Sequence, residues 1–591
     1  MATLEDLAIA ALATGKALEC GNRERVSAMW IADLLAGRVG KAARHAKGLT
    51  LTGASLTGQA QWAHDRFTVR FALIDCTFEE PLLAGGLRVA GDASFEGCRF
   101  RSLDLKDARV DGDLNLANVT VRNGQGNDPP VSLNLNSAIV SGTLHLQGAR
   151  VCGETNVLGG VIGGSFECGG ARFQNAGGNA LVADRVKVTY SVLLDKRFTA
   201  HGDVRFIEAK IGGQFVCRDG TFSMPDGDAL SLHSAKIEGS AFLDDGFNST
   251  GRVRMLETSI GGQLICCNAR FTAADGHALV LQSAVIGGKA FLADGFCARG
   301  SVSLVQTEMR GGLDCSAGRF LGAPVAIDAE GLRVLGRFQF KPAERPSGTI
   351  NLRNAQVAQL CDELKCWPAP RPGMPVIDLT GFTYGQFGDG AETEVAARVS
   401  WIRSQTSGDY APQPYLQLAS VYQQEGMDYE RRRVLIAKQN DLRQFGRLRP
   451  WERAWNWLLK VLTGYGHQAW RALIAIALVY GLSVGVVWLA KDHNGFTAVG
   501  PTADTLVGPG VKDPITANTC HSYYPCLSQF IYPADAAIPV INLHQSEYWA
   551  FDASVGSWGS WARYIFDALT LSGWFFSSLL IAALAGLIRN D

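Results

Sequence analysis

The sequence predicts a mainly β fold: a parallel, right-handed β-helix solenoid with an N-terminal helical cap, a C-terminal helical segment and two transmembrane helices. Three observations predict it. First, a 49-residue block recurs in register. Ile162-Gly163-Gly164 leads to Cys168 and Phe173, Ile211-Gly212-Gly213 to Cys217 and Phe222, and Ile260-Gly261-Gly262 to Cys266 and Phe271, with a decayed copy from Met309 to Cys315 and Phe320. Second, each block divides in two. The pattern Ala-x-(Ile/Leu/Val)-x-Gly marks both halves, as at Ala209–Gly213 and Ala235–Gly239, within runs that alternate apolar and polar residues such as Val131-Ser-Leu-Asn-Leu. Third, two long apolar runs lie near the end of the chain.

Residues 1–45 read as the cap. A rod of stacked coils ends in open strand edges that need covering. Leu4–Leu12 and Arg25–Leu35 have helical spacing, with Trp30 on the apolar side. The opening stretch has no basic region ahead of its short apolar run, which makes it a poor secretory signal.

Residues 46–390 read as the solenoid. Coils of about two dozen residues stacked at ~4.8 Å give roughly fourteen turns and a rod of about 60–70 Å. A right-handed winding suits this coil length, since left-handed hexapeptide coils are shorter. A pentapeptide tower is the alternative, and a 49-residue period is not a multiple of five. Cys168, Cys217, Cys266 and Cys315 share one repeat position two coils apart, ~9–10 Å. A disulfide needs Cα atoms within roughly 7 Å, so these thiols form a ladder whose neighbours cannot bond to each other. Small inward-facing packing residues are the plain reading, and a metal or redox ladder the sharper one.

Residues 391–445 change to helical period. Ala391–Gln405 and Pro414–Phe445 flank a Tyr410-Ala-Pro-Gln-Pro break, and Tyr415, Leu418, Ala419, Tyr422 and Gly426 loosely follow a tetratricopeptide pattern. Residues 446–591 read as the membrane domain, with spans near 470–490 and 564–588 and an outer loop over 491–563. Between Arg431 and Arg471 there are ten Lys or Arg against two acids. That basic flank predicts the solenoid and C-terminus on the cytoplasmic side of the membrane and the loop outside. The solenoid thiols are then reduced, whereas Cys520 and Cys526 lie in the loop, where a disulfide persists. A Cys/His metal site with His521 or His544 is the weaker alternative. Asp567 near the start of the second span marks either a later helix start or a polar contact with a partner helix.

The sequence of the membrane section, from Trp451-Glu-Arg-Ala-Trp-Asn-Trp through Leu462-Thr-Gly-Tyr-Gly466 to Ile531-Tyr-Pro-Ala-Asp, Tyr548-Trp549, Gly573-Trp574 and Ala585-Gly-Leu-Ile-Arg589, resembles a bacterial family of two-span membrane proteins with a long N-terminal solenoid or pentapeptide-like repeat region. Members commonly carry the name membrane-associated oxidoreductase, and the resemblance implies the two-span architecture but carries over no catalytic residue. The rod unit Ala-x-Ile-x-Gly departs from the family's pentapeptide pattern.

The residues themselves supply no catalytic, cofactor-binding or metal motif. The Gly-Gly pairs sit in β-coils with no helix following, unlike a dinucleotide loop. Cys361-Asp-Glu-Leu-Lys-Cys366 lacks redox-dithiol spacing. Asp226 and Asp275 share a repeat position, and Asp244-Asp245 adds two more acids, a pattern that suits turns better than paired-acid chemistry. Net charge of −1 predicts no general attraction to nucleic acid. The leading expectation is a non-catalytic membrane-anchored scaffold or sensor that binds the membrane and a protein partner or further copies of itself. An oligomeric channel and a membrane-associated oxidoreductase or other enzyme are the alternatives.

Overall fold

A computed structural model describes residues 4–20, 24–40, 45–122, 131–369, 376–405, 410–500, 517–518, 524–539, 541–552 and 556–585. The chain forms two compact units. One comprises residues 1–407 with 424–426, the other 408–423 with 427–591.

The first unit is a parallel β-solenoid of about 14 turns. A single ladder runs its length, each residue paired with its equivalent one coil on: Phe67, Val89, Val110, Val140, Ile162, Val188, Ile211, Ile237, Ile260, Ile286, Met309, Val334, Val357 and Tyr384. A typical coil carries four short strands. Arg88–Val89 and Ala93–Ser94 belong to one sheet, Arg99–Phe100 and Leu103–Asp104 to the other. In three of these two-residue strands and in Leu103–Asp104 alike, one side chain points in and one out, which is the alternation the sequence carries.

The ladder explains the 49-residue block. Ile162 to Val188 is 26 residues and Val188 to Ile211 is 23, and the pair of lengths repeats. The longer coils contain the strands Arg172–Val182, Thr221–Ser231 and Arg270–Val280; the shorter ones contain Thr199–Arg205, Asn248–Arg254 and Cys297–Ser303. Gln174 pairs with His201 and Asn179 with Asp203, so four residues of the long coil oppose only Gly202 of the short one. The extra residues form a bulge. Gly202 lies beneath it with φ 124°, where a Cβ would sit 2.5 Å from the Asn175 carbonyl oxygen. Gly251, with φ 113°, meets the Met224 carbonyl in the same way. Only glycine fits such a position.

Inside, phenylalanines stack coil upon coil. Phe173, Phe198, Phe222, Phe247, Phe271, Phe296 and Phe320 follow at 5.2–5.5 Å between ring centroids. The row continues through Phe340 to Trp367 and Trp401.

At the N-terminal end, helices α1 (Leu4–Thr14) and α2 (Ala28–Ala36) alternate with strands that join the solenoid, because Leu18–Glu19 pairs with Leu51–Thr52 and Arg25–Ser27 with Ser55–Thr57. The second helix therefore begins three residues later than its spacing predicts. Ser27 caps it by accepting the Trp30 N–H, and this turns Arg25–Ser27 into an edge strand. Trp30 is half-exposed. Trp62 is the buried aromatic here, donating from Nε1 to the Ala28 carbonyl at 2.9 Å among Phe67, Phe71, Phe78 and Phe95.

At the other end, Thr383–Phe387 is the last strand, followed by α3 (Val395–Arg403). Arg398 and Asp362 are both fully buried. The Arg398 guanidinium donates to the Asp362 carboxylate at 2.9 and 2.6 Å and to the Glu392 carbonyl at 2.5 Å. Trp367 Nε1 donates to the same carboxylate at 2.7 Å.

The second unit holds α4 (Gln413–Gln424), α5 (Asp428–Phe445), α6 (Pro450–Thr463), α7 (Trp470–Asp492), α8 (Ile531–Ala537) and α9 (Gly556–Leu584). The helical segment over Pro414–Phe445 forms two helices that part at Gly426, whose φ of 74° ends the first. The Tyr415 hydroxyl donates to buried Asp441 at 2.6 Å and ties α4 to α5. Among the described residues two helices are long and apolar enough to cross a membrane: Trp470–Asp492, mean hydropathy 2.4, and Ser560–Leu584, mean hydropathy 1.6. Residues of the loop between them form a small core with Phe496, Tyr532, Trp549, Phe551 and Phe566, closed by an antiparallel pair, Phe496–Ala498 with Trp549–Phe551.

Candidate functional site

The thiol ladder lies inside the solenoid. Cys168, Cys217, Cys266 and Cys315 alternate in register with Leu194, Leu243 and Leu292 from the intervening coils, as the backbone bonds Cys168 N–H to Leu193 O and Leu194 N–H to Val216 O require. All four are enclosed. Burial pushes their thiols well above the usual range, since a thiolate there would lose its hydration. An enclosed neutral thiol flanked by leucines packs as a small apolar group and offers no nucleophile. Cys76 and Cys98 form a closer pair that the sequence reading missed. They stand one coil apart, with the Arg99 N–H bonded to the Cys76 carbonyl at 2.9 Å. Their 22-residue spacing is the signal, because Phe67 to Val89 has the same length.

The outer face of the bulged sheet carries a polar ladder that was also missed. Asn179, Asp203, Asp228, Arg252, His277 and Ser301 occupy successive coils, each directly after a glycine. That Gly-polar dipeptide at alternating spacings of 24 and 25 was the available signal. The row is internally matched. Asn179 donates to Glu154 at 3.2 Å, Arg252 and Arg254 to Asp228 at 2.7 and 2.9 Å, and Ser301 and His277 lie 2.9 Å apart. Beside it, Arg205 donates to Asp184 at 2.7 Å. Asp203 is the mismatch. One carboxylate oxygen is enclosed without a hydrogen-bond partner. Its pKa is pushed up to about 7 by burial, with Asp228 and Asp184 adding and Arg205 opposing.

Asp226 is exposed on the second bulge, and the side chain of Asp275 lies outside the described residues. Asp244 is nearly enclosed and accepts from Arg218 at 3.0 Å, and Asp245 occupies a left-handed turn position, φ 48°. Asp244 and Asp245 therefore share the Arg218 guanidinium, at 3.0 and 3.8 Å, as an ion pair beside a turn. Among the described residues no group of three His, Cys, Asp or Glu side chains is placed to hold a metal ion.

In the second unit Cys526 is disulfide-bonded, and Cys520 lies outside the described residues. The Cys526 carbonyl accepts from Gln545 at 3.1 Å, and Trp549 donates to Pro525 at 2.9 Å, so the bonded segment is anchored to the loop core. Asp567 is exposed on α9 and pairs at 4.0 Å with Arg563 one turn earlier on the same helix. No protein-family model, curated protein or solved structure matches the chain.

Proposed function

We propose that the chain is a non-catalytic membrane-anchored scaffold or sensor. Its solenoid projects into the cytoplasm of a bacterial cell from the inner membrane and offers the bulged polar face to a protein partner or to a second copy. The observation that carries this reading is the ladder from Asn179 to His277, a repeated row of half-buried to exposed hydrogen-bonding groups, in a chain that also holds two helices able to cross a membrane. Solenoids present such extended faces to partners because each coil repeats the same geometry. The loop chemistry supports the orientation. Cys526 is disulfide-bonded, which fits a loop outside.

The test places a photo-crosslinking residue at exposed Asp226, with a control at exposed Arg109 on the other sheet, in cells expressing the full chain. The reading expects a discrete adduct from position 226 alone and retention of the chain in membranes through an alkaline wash. Equal adducts from both positions, or release by the wash, would overturn it.

An oligomeric channel is the second reading. The exposed Arg563–Asp567 pair within a candidate span favours it, because polar groups on a spanning helix are stabilised by facing another helix or water. A strictly monomeric chain in mild detergent would sink it.

A further inference from the structure

Helix α6 is amphipathic in the reverse sense to a helix of a globular core. Trp451, Trp455 and Trp457 are 65, 48 and 55 % exposed, and Val461 is exposed beside them. The polar residues Glu452, Asn456 and Lys460 are instead half-buried where α6 meets α5, α7 and α9. At 100° per residue, Trp451, Ala454, Trp455, Trp457, Leu458 and Val461 fall in one continuous arc. A monomeric water-soluble fold does not leave three tryptophans on one helix face uncovered.

The surroundings identify what covers them. Gly464, in the left-handed conformation, ends α6, and the apolar helix α7 begins six residues later. Arg471 at the head of α7 donates to the Lys460 carbonyl at 3.2 Å, fixing α6 at the N-terminal end of α7. Arg449, which precedes and caps α6, and Arg453 within it are exposed, and Glu452 is the helix's single acid. Tryptophan prefers the boundary between headgroups and acyl chains, and arginine beside it reaches the phosphates. A helix with an apolar aromatic face and cations at its margin, continuous with a candidate span, therefore complements an anionic lipid surface.

We infer that α6 is a membrane-interface helix that lies in the headgroup layer of an anionic bilayer with Trp451, Trp455 and Trp457 turned toward the acyl chains. The inference rests on the membrane reading above and adds a lipid-binding surface to it.

The test uses the full chain reconstituted in vesicles of phosphatidylcholine, with or without phosphatidylglycerol, whose acyl chains carry bromine near the headgroup end or near the methyl end. The wild type is compared with the Trp451→Phe/Trp455→Phe/Trp457→Phe variant. The expected result is stronger quenching of the wild type by shallow bromine, a difference of at most three of the chain's 13 tryptophans, and equal quenching of both by deep bromine. Arg449→Gln/Arg453→Gln is expected to lower the shallow quenching only where phosphatidylglycerol is present. Equal shallow quenching in wild type and the tryptophan variant would overturn the inference, as would cross-linking of Leu458→Cys to a second copy. Loss of flotation with the vesicles after an alkaline wash would overturn the membrane reading itself. Retention without α6 quenching refutes the interface helix alone.

Discussion

Replacing Arg398 with methionine tests the closure of the solenoid's C-terminal end. The substitution removes two charge-assisted hydrogen bonds to Asp362, at 2.9 and 2.6 Å, and one to the Glu392 carbonyl. It also removes the guanidinium from above the Phe387 ring, 4.6 Å from its centroid. Methionine nearly fills the volume, so the loss is mostly electrostatic. Asp362 stays fully buried with the Trp367 indole as its one remaining donor in the cluster. Breaking a buried pair from one side costs roughly 3–5 kcal/mol. Because coils contact mainly their neighbours, the cost falls on the last turns and not on the whole rod. Hydrogen exchange of the full chain reads this directly. Amides of Gln356–Asp362 and Thr383–Phe387 are expected to lose protection by roughly two to three powers of ten, at about 1.4 kcal/mol per power, with coils before Phe320 unchanged. The companion variant Asp362→Leu/Arg398→Met removes both charges and is expected to regain most of the protection, since an apolar replacement of a buried pair is often neutral or better. Unchanged exchange in Arg398→Met, or a double variant as exposed as the single one, would refute the reasoning.

Three further outcomes follow from the solenoid. Cys168, Cys217, Cys266 and Cys315 are expected to resist a soluble maleimide in the native chain and to react in denaturant; native labelling of Cys217 at the rate of a free thiol would contradict their enclosure. Gly251→Ala, which drives a Cβ into the Met224 carbonyl, is expected to destabilise its coils by several kcal/mol in proteolysis or exchange, whereas Gly58→Ala, left-handed but with open space around it, costs only ~1 kcal/mol; equal effects would remove the bulge argument. Asp203 has its pKa pushed up by burial to about 7, well above the ordinary carboxylate range near ~4, so the folded state holds its proton more tightly and stability declines as pH rises between those values. Asp203→Asn is expected to gain on the order of 2 kcal/mol above that window, after discounting for partial solvent access, and nothing below it; a pH-independent difference would show that the carboxylate is not the cause.

What could be read in advance was whatever repeats. The Ile-Gly-Gly marker recovers the inward ladder, and with its decayed copy it recovers Phe173, Phe222, Phe271 and Phe320, four of the seven phenylalanines in the row. Phe198, Phe247 and Phe296 share the same 49-residue spacing, but they lie in the intervening coils, where Leu194, Leu243 and Leu292 stand in place of the marker's cysteine. The bulge was not legible, because it exists only as a difference between adjacent coils: four residues of one opposite Gly202 of the next. The Asp362–Arg398 pair was hidden for the opposite reason. It occurs once, 36 residues apart, and bears no periodicity. At the N-terminus, helical spacing across Arg25–Leu35 overran a strand, since three residues beside a helix carry too little pattern to outweigh it. The loop core around Trp549 draws on separate short segments, so it too lacks a period.

The alternation of bulged and plain coils limits how such a rod can change length. Removing one coil would set two bulges face to face, or leave a glycine with nothing above it, and every contact on that sheet would be mismatched at the seam. Removing two coils restores the original neighbours. Duplication or loss in this part of the chain is therefore tolerated in steps of 49 residues, ~9.6 Å of rod, and the rod's reach is quantised in twice the spacing of its strands.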